Sequence, residues 1–461
     1  MKIRTAGVVL VALFALAHPA RAEERAQTYT LDQAVADALA THPRLKSAEL
    51  EETAADARVD EARRAELPSF GVSAQLNRST GNTIPGAFFP QTGFVPIAGP
   101  TRGKTFDGGE WQSGASVWAS WDVLAFSRQA AAIDQSLASR SEASAATNAR
   151  RLDVAYRAAD AFVALLEAQE AVRLAQVAVQ RAEVLVTVTK TLADQNLRPG
   201  ADASRAEAEL AAARTQLARA EQAREVRRAE LATAIGKTEL RIEADPGVLV
   251  APVDLGESAG ASATPSPSHP DVVQANAAVT RTEEAERVVD AQYLPRVDLV
   301  AALWMRGSGL FDSPANGLVP DIPNWAAGAA VTWSILDIPT IRARARAASA
   351  VHGAAVARRE ETVVAIAGQL KSASAVLEGA RRVAKQTAPT LAAARTAQEQ
   401  AVARFRTGLA PVVDVADAQR VLAQAELEDV IARLEVRRAL LLVGRASGDL
   451  GPFLARIRSG G

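Results

Sequence analysis

Asp414 and Asp417 stand three positions apart, a spacing that puts both carboxylates on one face of a helix, where together they could attract a cation. The same pair has a plainer reading: acids in a first helical turn meet the positive end of the helix dipole, worth about 0.3–1 kcal/mol. Spacing alone favours that plainer reading. His42, His269 and His352 lie far apart, and no clustered His, Cys or carboxylate spacing suggests a metal site. His42 and His269 each precede a proline and read as helix-start residues. The chain has neither a glycine-rich phosphate loop nor a G-x-S-x-G nucleophile elbow, so we expect no enzyme, no cofactor and no catalytic apparatus.

Composition narrows the classes further. Of 461 residues 48% are hydrophobic, yet only 4% are aromatic and none is cysteine. Lys and Arg number 52 against 53 Asp and Glu, so net charge gives no support to a nucleic-acid partner. Abundant Ala with few aromatics argues for long, closely packed helices with thin cores. Lys2, Arg4, the apolar run Ala6 to Ala17 and Ala20-Arg21-Ala22 have the form of a secretory signal, with cleavage expected before Glu23. Absence of cysteine excludes disulfides and a lipid on cysteine. No later segment offers about 18 consecutive apolar residues, so no transmembrane helix is expected. An exported chain of this kind is soluble or enters the outer membrane through a β-barrel.

The chain is internally duplicated. His42-Pro43 recurs as His269-Pro270 and Leu67-Pro68 as Leu294-Pro295, both 227 positions on. Further along, Trp121 matches Trp333, Pro199 matches Pro411, Asp202 matches Asp414, Leu210 matches Leu422 and Gly236 matches Gly448, all at an offset of 212. The 15-residue difference falls between Leu76 and Trp121, where the first copy has the longer loop. The expected organisation is a signal peptide at 1–22, a first repeat at 23–244, a linker or irregular collar at 245–268, a second repeat at 269–448 and a disordered tail at 449–461.

Each repeat carries the same elements. A helix with proline in its first turn begins after His42 and after His269 and stops before Leu67-Pro68 and Leu294-Pro295. The period then changes to two. Ser69 to Leu76 alternates, Val297, Leu299, Ala301 and Leu303 repeat the pattern, and Ala115, Val117, Ala119, Trp121 and Val123 share one face. Their counterparts are Trp325, Ala327, Ala329, Val331, Trp333 and Ile335. Alternation marks strands with one apolar and one polar environment. With an export signal and no other core to cover, it favours lipid outside and water inside, Trp121 and Trp333 facing lipid. Four strands cannot close a barrel, since the smallest need about eight, so the chain must oligomerise if they span a membrane. The loops joining the strands hold Pro85, Phe88, Phe89, Pro90, Phe94 and Pro96 in the first copy and Gly307, Gly309, Phe311, Pro314 and Pro320 in the second; we read them as surface decoration.

Long helices follow. No Gly or Pro occurs between Ala115 and Arg198, and about 70 residues at 1.5 Å rise give a rod on the order of 100 Å. It ends at Leu197-Arg198-Pro199-Gly200, and a return helix runs from about Ala201 to Ile235. The second long helix contains Gly353, Gly368, Gly379 and Pro389, of which Pro389 is expected to kink or split it. It ends at Thr407-Gly408-Leu409-Ala410-Pro411, and its return helix runs to about Val443.

This order of elements resembles the TolC-like outer-membrane efflux protein family over nearly the whole mature chain. The resemblance is carried by the duplication, by Ser120-Trp121-Asp122-Val123-Leu124 and Thr332-Trp333-Ser334-Ile335-Leu336, and above all by Phe405 to Gln419. It implies an α+β fold in a homotrimer, four transmembrane strands per chain making one twelve-stranded barrel that a periplasmic α-helical barrel continues. It also implies an outer-membrane exit duct whose hairpin tips, here Gly408, Leu409 and Pro411 with Pro199 and Gly200, dock a periplasmic adaptor tied to an inner-membrane pump. Matching acids in the family ring the periplasmic entrance, which turns Asp414 and Asp417 toward a gate. The first-copy tip departs from the pattern, with Asn196 where the second copy has Gly408, and Asp202 and Arg205 where it has the two acids. Two other readings stay open: the outer component of a type I protein-secretion system, and a soluble periplasmic coiled-coil rod.

Overall fold

The computed structural model describes residues 27–79, 110–123, 126–195, 199–238, 242–251, 265–308, 317–320 and 322–459. The signal segment, the first-copy loop with its aromatics, Gly309 to Pro314 of the second, residues 196–198 and most of the linker lie outside them. The chain begins with β1 (Gln27–Tyr29) and α1 (Leu31–Thr41), the latter closed by a capping box in which Thr30 and Gln33 satisfy each other's backbone N–H. Next come α2 (Pro43–Arg64), β2 (Ser69–Ser79) and β3 (Glu110–Asp122), then α3 (Phe126–Asp194) and α4 (Gly200–Ile235). β4 (Ile242–Ala244) pairs in parallel with β1. The second copy supplies α5 (Pro270–Asp290), β5 (Arg296–Ser308), β6 (Ile322–Thr332), α6 (Ile338–Arg406) and α7 (Val412–Ser447), and α8 (Gly451–Ser459) ends the chain.

The repeats correspond in detail. His42 and His269 cap α2 and α5 by accepting the N–H two residues on, at Arg44 and Asp271. Gly236 and Gly448 end α4 and α7 in left-handed backbone at φ +84° and +86°, each packed against the His-Pro step of its own repeat. A glycine is required there because any Cβ would meet histidine and proline atoms within about 3.0 Å.

Four strands form one antiparallel sheet in the order β2-β3-β5-β6, so β3 and β5 join the two repeats. The registers place Val72, Val117, Leu303 and Trp325 in one row across the apolar face. The opposite face carries Ser73 against Ser116 and Ser69 against Ser120, each pair joined through its hydroxyls at 2.7 and 2.8 Å. That face is polar only in part: Trp118 of β3 and Val300 and Trp304 of β5 share it with the serines. Trp118 lies over Gly71 of the neighbouring strand, filling the space that a Cβ would need, since an added Cβ would fall 2.4 Å from its ring. Trp333 falls just beyond the end of β6.

Below the sheet, α3 and α6 each run unbroken for 69 residues, about 100 Å at helical rise. Pro389 does not split α6. Ala384 and Leu391 on either side of it are buried, and the Thr387 hydroxyl bonds both the Ala384 carbonyl and Asp429 of α7. Packing along α7 therefore outweighs the backbone donor that proline removes. The largest core gathers at mid-height, where Phe162, Leu165 and Leu166 of α3 meet Leu231, Ile235, Ile242, Leu434 and Leu441. Contrary to expectation, the described part of the tail, to Ser459, is largely helical. α8 buries Phe453 in that same core, and Arg458 grips Asp32 through two bonds of 3.0 Å. Its apolar residues Phe453, Leu454 and Ile457 fall on one helical side. The linker's first residues form a collar: Leu249 is buried, and Arg437 donates to the Val248 carbonyl at 2.8 Å.

Candidate functional site

The second hairpin tip is built by a complete Schellman turn. α6 ends at Arg406; the Gly408 N–H donates to the Phe405 carbonyl at 3.0 Å and the Leu409 N–H to Arg404 at 2.9 Å. Gly408 sits at φ +76° with open space around its Cα, so only its backbone conformation calls for glycine. Pro411 then caps α7 from extended backbone. Such turns usually bury the residue in the place of Leu409 against the preceding helix. Here Leu409 is 73% exposed, while Phe405, Ala410, Val412 and Val415 around it are buried. The turn accounts for Gly408 and Pro411 and leaves Leu409 unexplained by packing.

Beneath the tip a small core joins the two hairpins, with Leu185 of α3 and Ala206 of α4 against Phe405, Val412 and Val415. Pro199 and Gly200, which open α4, are exposed beside it. Asp414 and Asp417 are both exposed on the first two turns of α7. Asp417 is not a bare charge, since Arg420 pairs with it at 3.0 Å. Both side chains of that pair are more than half exposed, so it is worth no more than about 1 kcal/mol, but it tempers the field of the two acids. Arg420 also borders a groove of about 610 Å³ between α3, α4 and α7. Arg420 went unnoticed in the sequence, although its place one turn after Asp417 was a visible signal.

At the opposite end, Trp121 and Trp333 tie the sheet to the helix-to-strand turns. Each donates its indole N–H to the carbonyl at the matching helix-to-strand turn, Trp121 to Glu66 at 3.0 Å and Trp333 to Tyr293 at 3.3 Å. Both remain partly exposed, at 37% and 56%. Arg128 of α3 bonds Asp122 and the Leu294 and Pro295 carbonyls, tying β3 to the start of β5. Asp122 and Asp298 face each other across the strands, and Arg296 lies 3.6 Å and 3.2 Å from them. Among the described residues no group of three or more His, Cys or acidic side chains is arranged to hold a metal, and no helix is long and apolar enough to cross a membrane.

A sheet with one apolar face on top of two duplicated helical hairpins agrees with the family comparison, in which the outer membrane efflux protein model matches residues 34–237 and 267–449. The chain belongs to that family. Its fold is that of TolC-like outer-membrane channels. The Campylobacter jejuni CmeC outer membrane channel superposes with a TM-score of 0.72 at 16% identity, covering 93% of this chain and 89% of that one. VceC of Vibrio cholerae gives 0.70 at 19%, covering 91% and 96%. MtrE of Neisseria gonorrhoeae, solved in an open state, gives 0.70 at 20%, covering 91% and 89%. No curated protein matches the chain. Members of this family are channel proteins of the Gram-negative outer membrane that form trimers and work with adaptor proteins and inner-membrane pumps.

Proposed function

We propose that this chain is one subunit of a homotrimeric exit duct of a tripartite efflux pump. It conducts cargo passively from an inner-membrane pump and a periplasmic adaptor to the cell exterior. The observation that carries the reading is the sheet itself. Its apolar face, with Val72, Val117, Leu303 and Trp325 exposed, has no protein layer over it among the described residues. An outer-membrane lipid environment would cover that face, and the opposite side, with the serine pairs of β2 and β3, would then border a wet lumen. Helices about 100 Å long below it would carry the lumen across the periplasm.

At the far end, Gly408, Leu409 and Pro411, with Pro199 and Gly200, form the adaptor-docking tips. Leu409 is the contact residue, because the turn does not need it and solvent holds it. Asp414 and Asp417 line the periplasmic entrance, where three copies would gather six carboxylates, half of them tempered by Arg420, and favour cations. In-cell photocrosslinking from Leu409, with the captured partner identified by mass spectrometry, tests the docking role. Capture of an efflux-type adaptor supports it. A secretion-type adaptor would move the cargo from small molecules to proteins, and no capture from a chain present in the outer membrane would remove Leu409 from the docking surface.

A further inference from the structure

Two tryptophans stand in the middle of the sheet, on the side that the duct reading turns to water. By register, Trp118 of β3 lies between Gly71 of β2 and Ala302 of β5, and Trp304 of β5 lies between Ser116 of β3 and Asn324 of β6. Val300 falls one row below Trp118, between Ser120 and Gly328. Trp118 and Val300 are 41% and 45% exposed, and Trp304 is half-buried. Eight strands enclose an interior that side chains just fill, so the twelve of the trimeric reading leave space inside. Large apolar side chains held together in water mark an interaction surface. We propose that this patch is a contact site for flat aromatic compounds passing through the barrel; this rests on the duct reading above.

The strand fold does not itself call for these indoles. Trp121 and Trp333 recur in the two repeats and bond the turn carbonyls. At the same offsets of 212 and 227, Trp118 corresponds to Ala330, Trp304 to Asn77 and Val300 to Ser73. The same strand positions are thus filled by small or polar residues elsewhere in this chain.

The patch has a shape that suits a flat ring. The row through Trp118 continues as Ala302 and Ala326, and the row below it ends in Val300 and Gly328. Small residues therefore form a floor on β5 and β6, and Ala326 and Gly328 in it are exposed. Trp118 flanks the floor on β3, its ring seated over Gly71 of β2, and Trp304 stands in the next row toward the loops. Aromatic rings meet such side chains offset or edge-on, a contact that needs no charge. Charge gives little selection here. One row below Val300, Asp122 and Asp298 are paired with Arg128 and Arg296, two acids against two bases. A further base, Arg306, follows Trp304 in register, so a cation has no advantage over a neutral ring. What the patch presents is a pair of indoles beside a small apolar floor.

Planar-bilayer recording of the full-length protein tests the site with three probes. Acridine in mildly alkaline buffer is flat and neutral, N-methylacridinium is flat and cationic, and tetraethylammonium is cationic without a ring. Both acridines should interrupt the open-channel current, and tetraethylammonium should not. Trp118→Ala and Trp304→Asn install the residues that the other repeat carries at the same strand positions, so the sheet tolerates them. Each should shorten the interruptions about 2- to 10-fold and leave the uninterrupted conductance unchanged. Gly71→Ala places a Cβ where the Trp118 ring sits and should shorten them with both indoles still present. Interruptions of equal length in the natural protein and in the Trp118→Ala and Trp304→Asn variants overturn the site. Interruption by both cations but not by acridine means selection by charge and overturns the aromatic class. A natural protein that conducts without interruption by either acridine also overturns the site and leaves the duct standing. A natural protein that passes no current sinks the duct reading itself.

Discussion

Gly448 and Gly408 adopt nearly the same left-handed backbone, at φ +86° and +76°, but stand in opposite surroundings, so replacing each by alanine separates two energies. Gly408 has nothing within 4 Å of where a Cβ would lie; Gly408→Ala therefore meets only the left-handed penalty, about 1–2 kcal/mol. At Gly448 the new carbon would fall 2.8 Å from His269 Cδ2 and 3.0 Å from Pro270 Cδ, well inside ordinary contact. His269 cannot give way easily, since it is 1% exposed and its ring accepts the Asp271 N–H at 3.2 Å. Overpacking of this kind adds about 1–3 kcal/mol, so Gly448→Ala should lose about 2–5 kcal/mol in all. Guanidinium unfolding of the detergent-solubilised protein, followed by helical circular dichroism, measures both. Equal losses at the two positions would refute the reasoning, because the His-Pro contact would then contribute nothing.

Burial pushes the pKa of His269 below its ordinary value. The unfolded chain then protonates first, and stability falls as pH drops through about 6.5 toward the lower folded value. His269→Asn keeps an acceptor at the helix cap and should flatten that loss in melting temperatures taken from pH 7.5 to 5. An unchanged slope would put the acid sensitivity elsewhere. Trp121→Phe and Trp333→Phe keep the ring but remove the bonds to the Glu66 and Tyr293 carbonyls; each should cost about 0.5–1.5 kcal/mol in the same unfolding assay. Phe453→Ala should lose about 3–5 kcal/mol if α8 is part of the core, whereas a loose tail would show no change.

The order of elements was legible because duplication tests every assignment twice, and the Gly236/Gly448 caps and the two His-Pro starts recur with the same contacts. Short or locally contradicted features were harder. β1 and β4 span three residues each, too few to show a period, and α8 opens on Gly451-Pro452 in a sequence that ends Arg-Ser-Gly-Gly, which suggests a loose end. Yet Phe453, Leu454 and Ile457 already had helical spacing. Pro389 broke a local rule that the burial of Ala384 and Leu391 overrides, which only tertiary packing reveals. On the sheet, alternation located the two faces but gave no account of Trp118, whose place depends on Gly71 in another strand. At the tip, the family motif singled out Gly408, Leu409, Pro411 and the two acids as candidates. The exposure of Leu409 and the Arg420 partner of Asp417 needed coordinates.

Planar-bilayer recording tests the duct most directly, using the purified chain beside the Asp414→Ala/Asp417→Ala variant. The account predicts discrete conductance steps that are cation-selective in the natural chain and larger and less selective in the variant. Membranes that stay insulating with both proteins would contradict a conducting duct, and identical conductance and selectivity in the two would remove Asp414 and Asp417 from its entrance.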